Sequence, residues 1–316
     1  MKYKNTISVF VPVITLLVVL AVGCGQTQTA SPVPNSIVIS PGTATVTLEA
    51  TQTFTAIVYD QNSNVLAVTP SWQVVGSIGT IATDGLFTAT AEGTGIIRAA
   101  YEGISGEATV TVAGNFFPHE VGYSWTYTTT GVAGTRVVAV TGTSNSVVTG
   151  ETIAIFNDTQ KNSSGITTAS TDTYYKVNDL GVYYYGYNSV NNSGLSLQSM
   201  PFLFGMPSKI DVKSVSLKFI SSTPMELLLF PLSVGKQWTS SFDSSSGSGT
   251  YEYDISVVAF EDVTVPAGTF KCYKIKFVST YSGTSLTSYV WYGNNGGQVK
   301  VVGSTGYIIS LQSKNF

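Results

Sequence analysis

Imidazole and thiol chemistry have almost nothing to work with in this chain: 316 residues hold one histidine, His119, and two cysteines, Cys24 and Cys272. A metal cluster built from several imidazoles is excluded, and any Ser-His-Asp arrangement would have to run through His119. Charge is scarce as well, at 10% of residues, with Lys+Arg 15 against Asp+Glu 18 and a net charge of −3. That balance lacks the basic footprint of a nucleic-acid binder, so no such partner is expected. Long helical periodicity is also missing. From Ser36 to the C-terminus, short alternating runs of β-branched and aromatic residues are broken by Gly, Asn, Asp and Pro, which predicts an all-β chain.

One long apolar run stands at the front. Lys2 and Lys4 precede an apolar stretch from Ile7 to Val22, which ends in Ala21-Val22-Gly23-Cys24, the order of a cleaved export signal. A membrane-spanning helix is the alternative. The run is shorter than the roughly 20 apolar residues that a span needs, and Gly25-Gln26-Thr27-Gln28 gives no basic stop-transfer flank.

Leu20-Ala21-Val22-Gly23-Cys24 resembles a lipobox, with Ala21 where Leu is commoner. The resemblance implies a leader of residues 1–23, lipidation of Cys24, and a membrane partner reached through that N-terminal anchor in the cell envelope. Gly25 in place of Asp implies the outer membrane or cell surface of a diderm bacterium. Several acyl chains at about 0.8 kcal/mol per buried methylene make such an anchor stable. An acylated Cys24 also leaves Cys272 without a disulfide partner. Residues 24–35, rich in Gln, Thr, Ser and Pro, read as a flexible tether.

Residues 36–113 carry a series of motifs in order. They open with Ile37-Val38-Ile39-Ser40-Pro41-Gly42, pass through Thr53-Phe54-Thr55-Ala56-Ile57-Val58-Tyr59-Asp60 and Pro70-Ser71-Trp72, and reach Asp84-Gly85-Leu86-Phe87-Thr88-Ala89. They close with Ala108-Thr109-Val110-Thr111-Val112. The segment resembles the bacterial immunoglobulin-like group 2 domain of intimin- and invasin-type surface proteins, which implies a β-sandwich. The alternation itself turns Phe54, Ala56 and Val58 inward, makes Trp72 a core plug and Asp84-Gly85 a turn, and returns Leu86-Phe87 to the core.

Residues 115–316 contain an internal repeat. Phe117-Pro118-His119-Glu120-Val121-Gly122-Tyr123-Ser124-Trp125-Thr126 matches Phe230-Pro231-Leu232-Ser233-Val234-Gly235-Lys236-Gln237-Trp238-Thr239 at six of ten positions. Two related halves, about 115–215 and 228–316, are expected to form a pseudo-duplicated antiparallel β domain, a half-barrel or a sandwich. Val265-Pro266-Ala267-Gly268-Thr269-Phe270, taken with the two Val-Gly-x-x-Trp-Thr units, is similar to a β-rich domain of envelope proteins.

The chemistry-bearing residues each have a structural reading. His119 has Leu232 as its repeat counterpart, which makes it a turn residue and not a proton shuttle. Asp60, Asn62 and Asn64 have the spacing of the first calcium-loop ligands, but Val65 and Ser71 stand where that loop needs Gly and Glu, so Asx turns are expected. Glu261 and Asp262 are adjacent on a strand and point to opposite faces. The Gly-rich pieces at Gly93–Gly95 and Ser244–Ser248 lack the Lys-Ser/Thr or following helix of a phosphate cradle. Cys272 is expected opposite the apolar face of Tyr273, Ile275 and Phe277, as an inert side chain.

Two clusters are candidates for binding. Tyr174, Tyr175, Tyr183, Tyr184, Tyr185 and Tyr187 share one hairpin, where they either stack on sugars or a protein partner or form cross-strand ladders. Met206, Met225 and Leu228 belong to two apolar segments that either fill the seam between the halves or line a groove for an acyl chain. No catalytic set, metal or cofactor is expected. The sequence points to a non-enzymatic envelope lipoprotein, an immunoglobulin-like spacer or cell-adhesion module presenting a C-terminal domain that binds a protein or glycan. The alternative is a carrier or sensor of a hydrophobic ligand.

Overall fold

The computed structural model describes residues 31–145, 152–191, 217–243 and 249–316. Every regular element among them is a β-strand. The leader, Cys24 and Met206 lie outside the described residues, as does Ser244–Ser248.

Ten strands form the first unit: β1 (Pro34–Ser40), β2 (Thr43–Thr47), β3 (Thr51–Thr53), β4 (Thr55–Asp60), β5 (Val65–Leu66), β6 (Ser71–Val75), β7 (Gly79–Ile81), β8 (Leu86–Ala89), β9 (Gly93–Tyr101) and β10 (Ile104–Ala113). They make sheets of order β1-β4-β5, β2-β10-β9-β6 and β3-β8-β7, and only β2 and β10 run parallel. Alternation decides which side is inside. Ile37, Ile39 and Val58 are buried, with Val38 and Ile57, direct cross-strand partners, on the outer face. On β10, Ala108, Val110 and Val112 point inward while Glu107 pairs with Arg98 outside.

Two expectations for this unit are corrected. Leu86 is exposed and only Phe87 enters the core, because neighbours on a strand face opposite ways. Trp72 is half-buried, and the rings at the centre are Phe54 and Phe87, edge to face at 6.4 Å. The Asp84-Gly85 turn is present: Gly85 has φ +84°, and a Cβ there would lie 2.1 Å from the Phe54 carbonyl oxygen.

Twelve strands form the second unit. In chain order they are β11 (Ser124–Thr129), β12 (Val132–Asn145), β13 (Thr152–Lys161), β14 (Thr167–Asn178), β15 (Gly181–Asn191) and β16 (Leu217–Leu229), then β17 (Gln237–Asp243), β18 (Thr250–Val265), β19 (Gly268–Tyr281), β20 (Thr284–Gly293), β21 (Gly297–Val302) and β22 (Ile308–Asn315). All belong to one antiparallel sheet of order β16-β15-β14-β13-β12-β11-β22-β21-β20-β19-β18-β17. The sheet curls into a nearly closed barrel, the antiparallel all-β domain expected, taken beyond a half-barrel. Eight strands enclose a space that ordinary side chains just fill; twelve need bulkier ones. The interior accordingly carries Trp125, Tyr127, Phe156, Tyr175, Tyr184, Tyr253, Phe277 and Tyr292, all buried.

The order falls into two runs of six, β11–β16 and β17–β22, so the first run reaches Leu229 and not residue 215. The repeated segments hold the same turn. Gly122 donates to Val140 O, Tyr123 to Glu120 O and Val140 to Tyr123 O; Gly235 donates to Val257 O, Lys236 to Ser233 O and Val257 to Lys236 O. Gly122 and Gly235 take φ +100° and +94°, and Val121 and Val234 are both exposed. A β-bulge follows each turn, between Val140 and Gly142 and between Val257 and Ala259.

The two junctions between the runs differ. β22 and β11 share a backbone ladder from Asn315↔Ser124 to Ile309↔Thr129. β16 and β17 meet through side chains: Ser240 Oγ accepts the Glu226 N–H at 2.8 Å, and Trp238 Nε1 donates to Glu226 O at 3.0 Å.

A short, polar-pinned joint connects sandwich and barrel. The Glu92 carboxylate accepts the N–H of Gly114 at 2.7 Å and of Leu232 at 2.9 Å. Asn294 accepts from Asn115 N and donates to Leu48 O, both at 2.9 Å. Phe116 packs on Tyr273 at 5.1 Å, and Phe117 enters the barrel between Phe156 and Tyr175. One apolar core therefore continues from the first unit into the second.

Candidate functional site

The six hairpin tyrosines are divided between inside and outside. Tyr175 and Tyr184 are register partners, buried with rings 5.5 Å apart, and Tyr185 and Tyr187 are buried too. Tyr174 and Tyr183 are half-buried, and Lys176 Nζ lies 5.8 Å from the Tyr183 ring. No single outer platform results. The register shift between Tyr174↔Gly186 and Tyr175↔Tyr184 makes Tyr185 an extra residue in β15 and breaks the alternation, so four of the rings are withdrawn.

Met225 and Leu228 are also interior. They lie opposite Tyr184 and Val182 across the β15–β16 pair and are buried. The space they help enclose is full of rings. A cleft lined by Phe117, Trp125, Tyr127, Phe156 and Gln298 has room on the order of one water molecule.

The interior is polar as well as aromatic. Arg136 grips Asp158 with two hydrogen bonds, 2.7 and 2.6 Å, and the pair is buried. Burial pushes the Asp158 carboxyl up, against the pull of the guanidinium. Tyr127 OH donates to Gln298 O at 2.9 Å, and burial raises its phenol above the usual range. Among the described residues, the hydroxyls of Tyr184, Tyr253, Tyr292, Ser279 and Ser288 and the side-chain amide of Gln298 are buried with no hydrogen-bond partner.

The remaining candidates are tied into local structure. His119 is exposed, with Nδ1 3.1 Å from Phe117 O. Asp60 Oδ1 accepts the N–H groups of Asn62 and Asn64, both at 2.8 Å, and Oδ2 accepts from the Asn64 amide; these donors, backbone N–H above all, hold its carboxyl below the ordinary value. That is an Asx turn, in which donors occupy the oxygens a cation would need. Asp262 pairs with Lys271 at 3.0 Å, while Glu261 accepts from Trp291 Nε1 at 2.7 Å.

Cys272 departs from expectation in its surroundings. It is buried, because the outer face at that end of β19 is closed over by Phe270, Gly293 and Val299 beside the sandwich joint. Its Sγ donates to Phe270 O, and burial, with Asp262 and Glu261 nearby, pushes the thiol up to about 12.

The outer face of β19–β21 carries a group that single-strand reading missed. Lys274 lies opposite Trp291, and Trp291 opposite Lys300, so the three form one row across adjacent strands. Lys274 Nζ sits 4.9 Å from both the Trp291 and Tyr289 rings, and Lys300 Nζ 5.2 Å from Trp291. Lys276 lies opposite Tyr289. The alternations Lys274-Ile275-Lys276 and Tyr289-Val290-Trp291 are visible in the sequence, but the register that joins them is not.

The molecule is thus a sandwich fixed to a filled twelve-strand barrel. No protein-family description matches the chain, and no curated protein does. Among solved structures it is similar to a Bacteroides fragilis protein assigned as exported, with a YmcC-like fold (16% identity, 65% of this chain and 100% of that one, TM-score 0.40). It is also similar to a protein assigned as a lipoprotein from Parabacteroides distasonis (13% identity, 63% and 98% coverage, TM-score 0.36). Domains 5–6 of the S-layer protein SbsC match over 46% of this chain and 91% of theirs at 16% identity, TM-score 0.24.

Proposed function

We propose that this chain is a lipid-anchored envelope protein without enzymatic activity, in which an immunoglobulin-like group 2 spacer or adhesion module presents a barrel that binds a protein partner or glycan. The observation that carries the reading is the joint. Glu92, Asn294, Phe116 and Phe117 pin the barrel to the sandwich, a rigid mount downstream of a lipobox sequence. Acylation at Cys24 ties it to the membrane, at the outer membrane or cell surface. The ring-filled interior favours a binding module over a carrier of hydrophobic ligands, since Met225 and Leu228 are consumed in the wall.

Metabolic labelling with a fatty acid tests the anchor: the wild type takes up label and Cys24→Ala does not. A glycan array together with pull-down from envelope extract tests the binding role. Specific, saturable capture supports it, and reproducible hydrolytic turnover by the purified protein overturns it.

A further inference from the structure

We propose that the outer face of β19–β21 is a docking surface for an acidic polysaccharide, with Lys274, Lys276 and Lys300 meeting its carboxylates, Tyr289 its sugar faces, and the buried Trp291 backing the row. This deepens the binding role above and rests on it. Strands lie about 4.8 Å apart and alternate residues about 7 Å apart, so the backbone positions of both rings and all three lysines fall within roughly 12 Å. The row Lys274–Trp291–Lys300 runs across the strands, and the pair Lys276–Tyr289 lies beside it.

Charge selects the occupant. Among the described residues, Arg98, Arg136 and Lys271 have carboxylate partners, whereas Lys274, Lys276 and Lys300 have none within ion-pair distance. Lys274 and Lys300 lie against aromatic rings instead, in a chain of net charge −3. The ammonium groups are held there by ring contacts and not by ion pairs, so an arriving carboxylate can draw them toward itself.

Geometry separates a sugar chain from a bilayer. Trp291 is held flat by its Nε1 bond to Glu261 and is only 7% exposed, so it cannot plunge into lipid. A ring plane edged by ammonium groups, with a carboxylate beside it to accept sugar hydroxyls, suits a uronic-acid chain.

The test is titration of the full chain in mild detergent with polygalacturonate, with dextran as a parallel probe and, after detergent removal, phosphatidylglycerol vesicles. The expected result is salt-sensitive binding of polygalacturonate, at least tenfold tighter than dextran. It should weaken at least tenfold in Lys274→Gln/Lys300→Gln and about threefold in Tyr289→Phe/Lys276→Gln, with Lys161→Gln unchanged. Unfolding curves identify a variant that fails to fold, in which case the single Lys300→Gln, expected to weaken binding severalfold, decides. Polygalacturonate binding that these variants leave intact overturns the surface while leaving the binding role standing. Vesicle binding that Lys274→Gln/Lys300→Gln weakens, without polygalacturonate binding, overturns the sugar assignment in favour of a membrane. Failure of all three probes overturns the inference, and the binding role falls with it only if envelope extract also yields no partner.

Discussion

In the first half of the barrel, Arg136 lies four residues before the bulge at Val140, and Asp158 two residues beyond Phe156, the partner of Val140. In the second half, the places at those distances from Val257 and its partner Ile275 hold Tyr253 and Phe277. One backbone plan thus encloses a buried ion pair on one side and two aromatic rings on the other. The architecture does not require the charges. The junctions differ in the same spirit: Tyr127 sits in a backbone ladder with β22, whereas Ser240, its counterpart in the repeat, reaches Glu226 through its hydroxyl.

The ion pair gives the largest way to break this comparison. Arg136→Met strands the Asp158 carboxylate in the interior and should cost about 3–5 kcal/mol in denaturant unfolding. The double variant Arg136→Tyr/Asp158→Phe, which imitates the second half, should recover most of that loss. Tyr253→Phe should change stability by less than about 1 kcal/mol, since its hydroxyl is buried with no partner. An Arg136→Met variant no less stable than Tyr253→Phe would show that the pair is not closed off from water.

The paired tryptophans sharpen the comparison. Trp125 is buried, stacked on Phe156 at 6.1 Å and bonded to Gly296 O, so Trp125→Ala should cost about 3 kcal/mol or more. Trp238 is half-buried at the side-chain seam and should cost about half as much, by the same unfolding measurement. Ser240→Ala, which removes one acceptor from that seam, should cost about 0.5–1.5 kcal/mol.

Cys272 adds a test by labelling as well as by stability. It stands where the first half has Ile153, also buried, and Cys272→Val should shift stability by about 1 kcal/mol. Its raised thiol means the native state prefers the protonated form. The stability this contributes is intact below the ordinary thiol value of 9.0 and is lost as pH rises toward about 12. At pH 8 the native protein should resist iodoacetamide and react only once unfolded; rapid labelling of native protein would contradict the burial.

Much of the fold was legible because it rests on period-two patterning. The inward set of Phe54 and Val58, the Asp84-Gly85 turn and the repeated Val-Gly-x-x-Trp-Thr turn all follow from residues close in sequence. What failed depends on partners far away. The shift beside Tyr185 settles which of the hairpin tyrosines turn inward, and the sandwich joint covered the side of β19 that carries Cys272. Barrel closure, the Arg136–Asp158 pair and the Lys274–Trp291–Lys300 row are all matters of register between strands, which no single strand encodes.

Amide hydrogen exchange across the two junctions bears most directly on the barrel as two like halves joined unequally. Amides along the β22–β11 ladder should exchange at least tenfold more slowly than those of β16 and β17 that face each other. Equal protection at both junctions, or slower exchange at the β16–β17 seam, would contradict it.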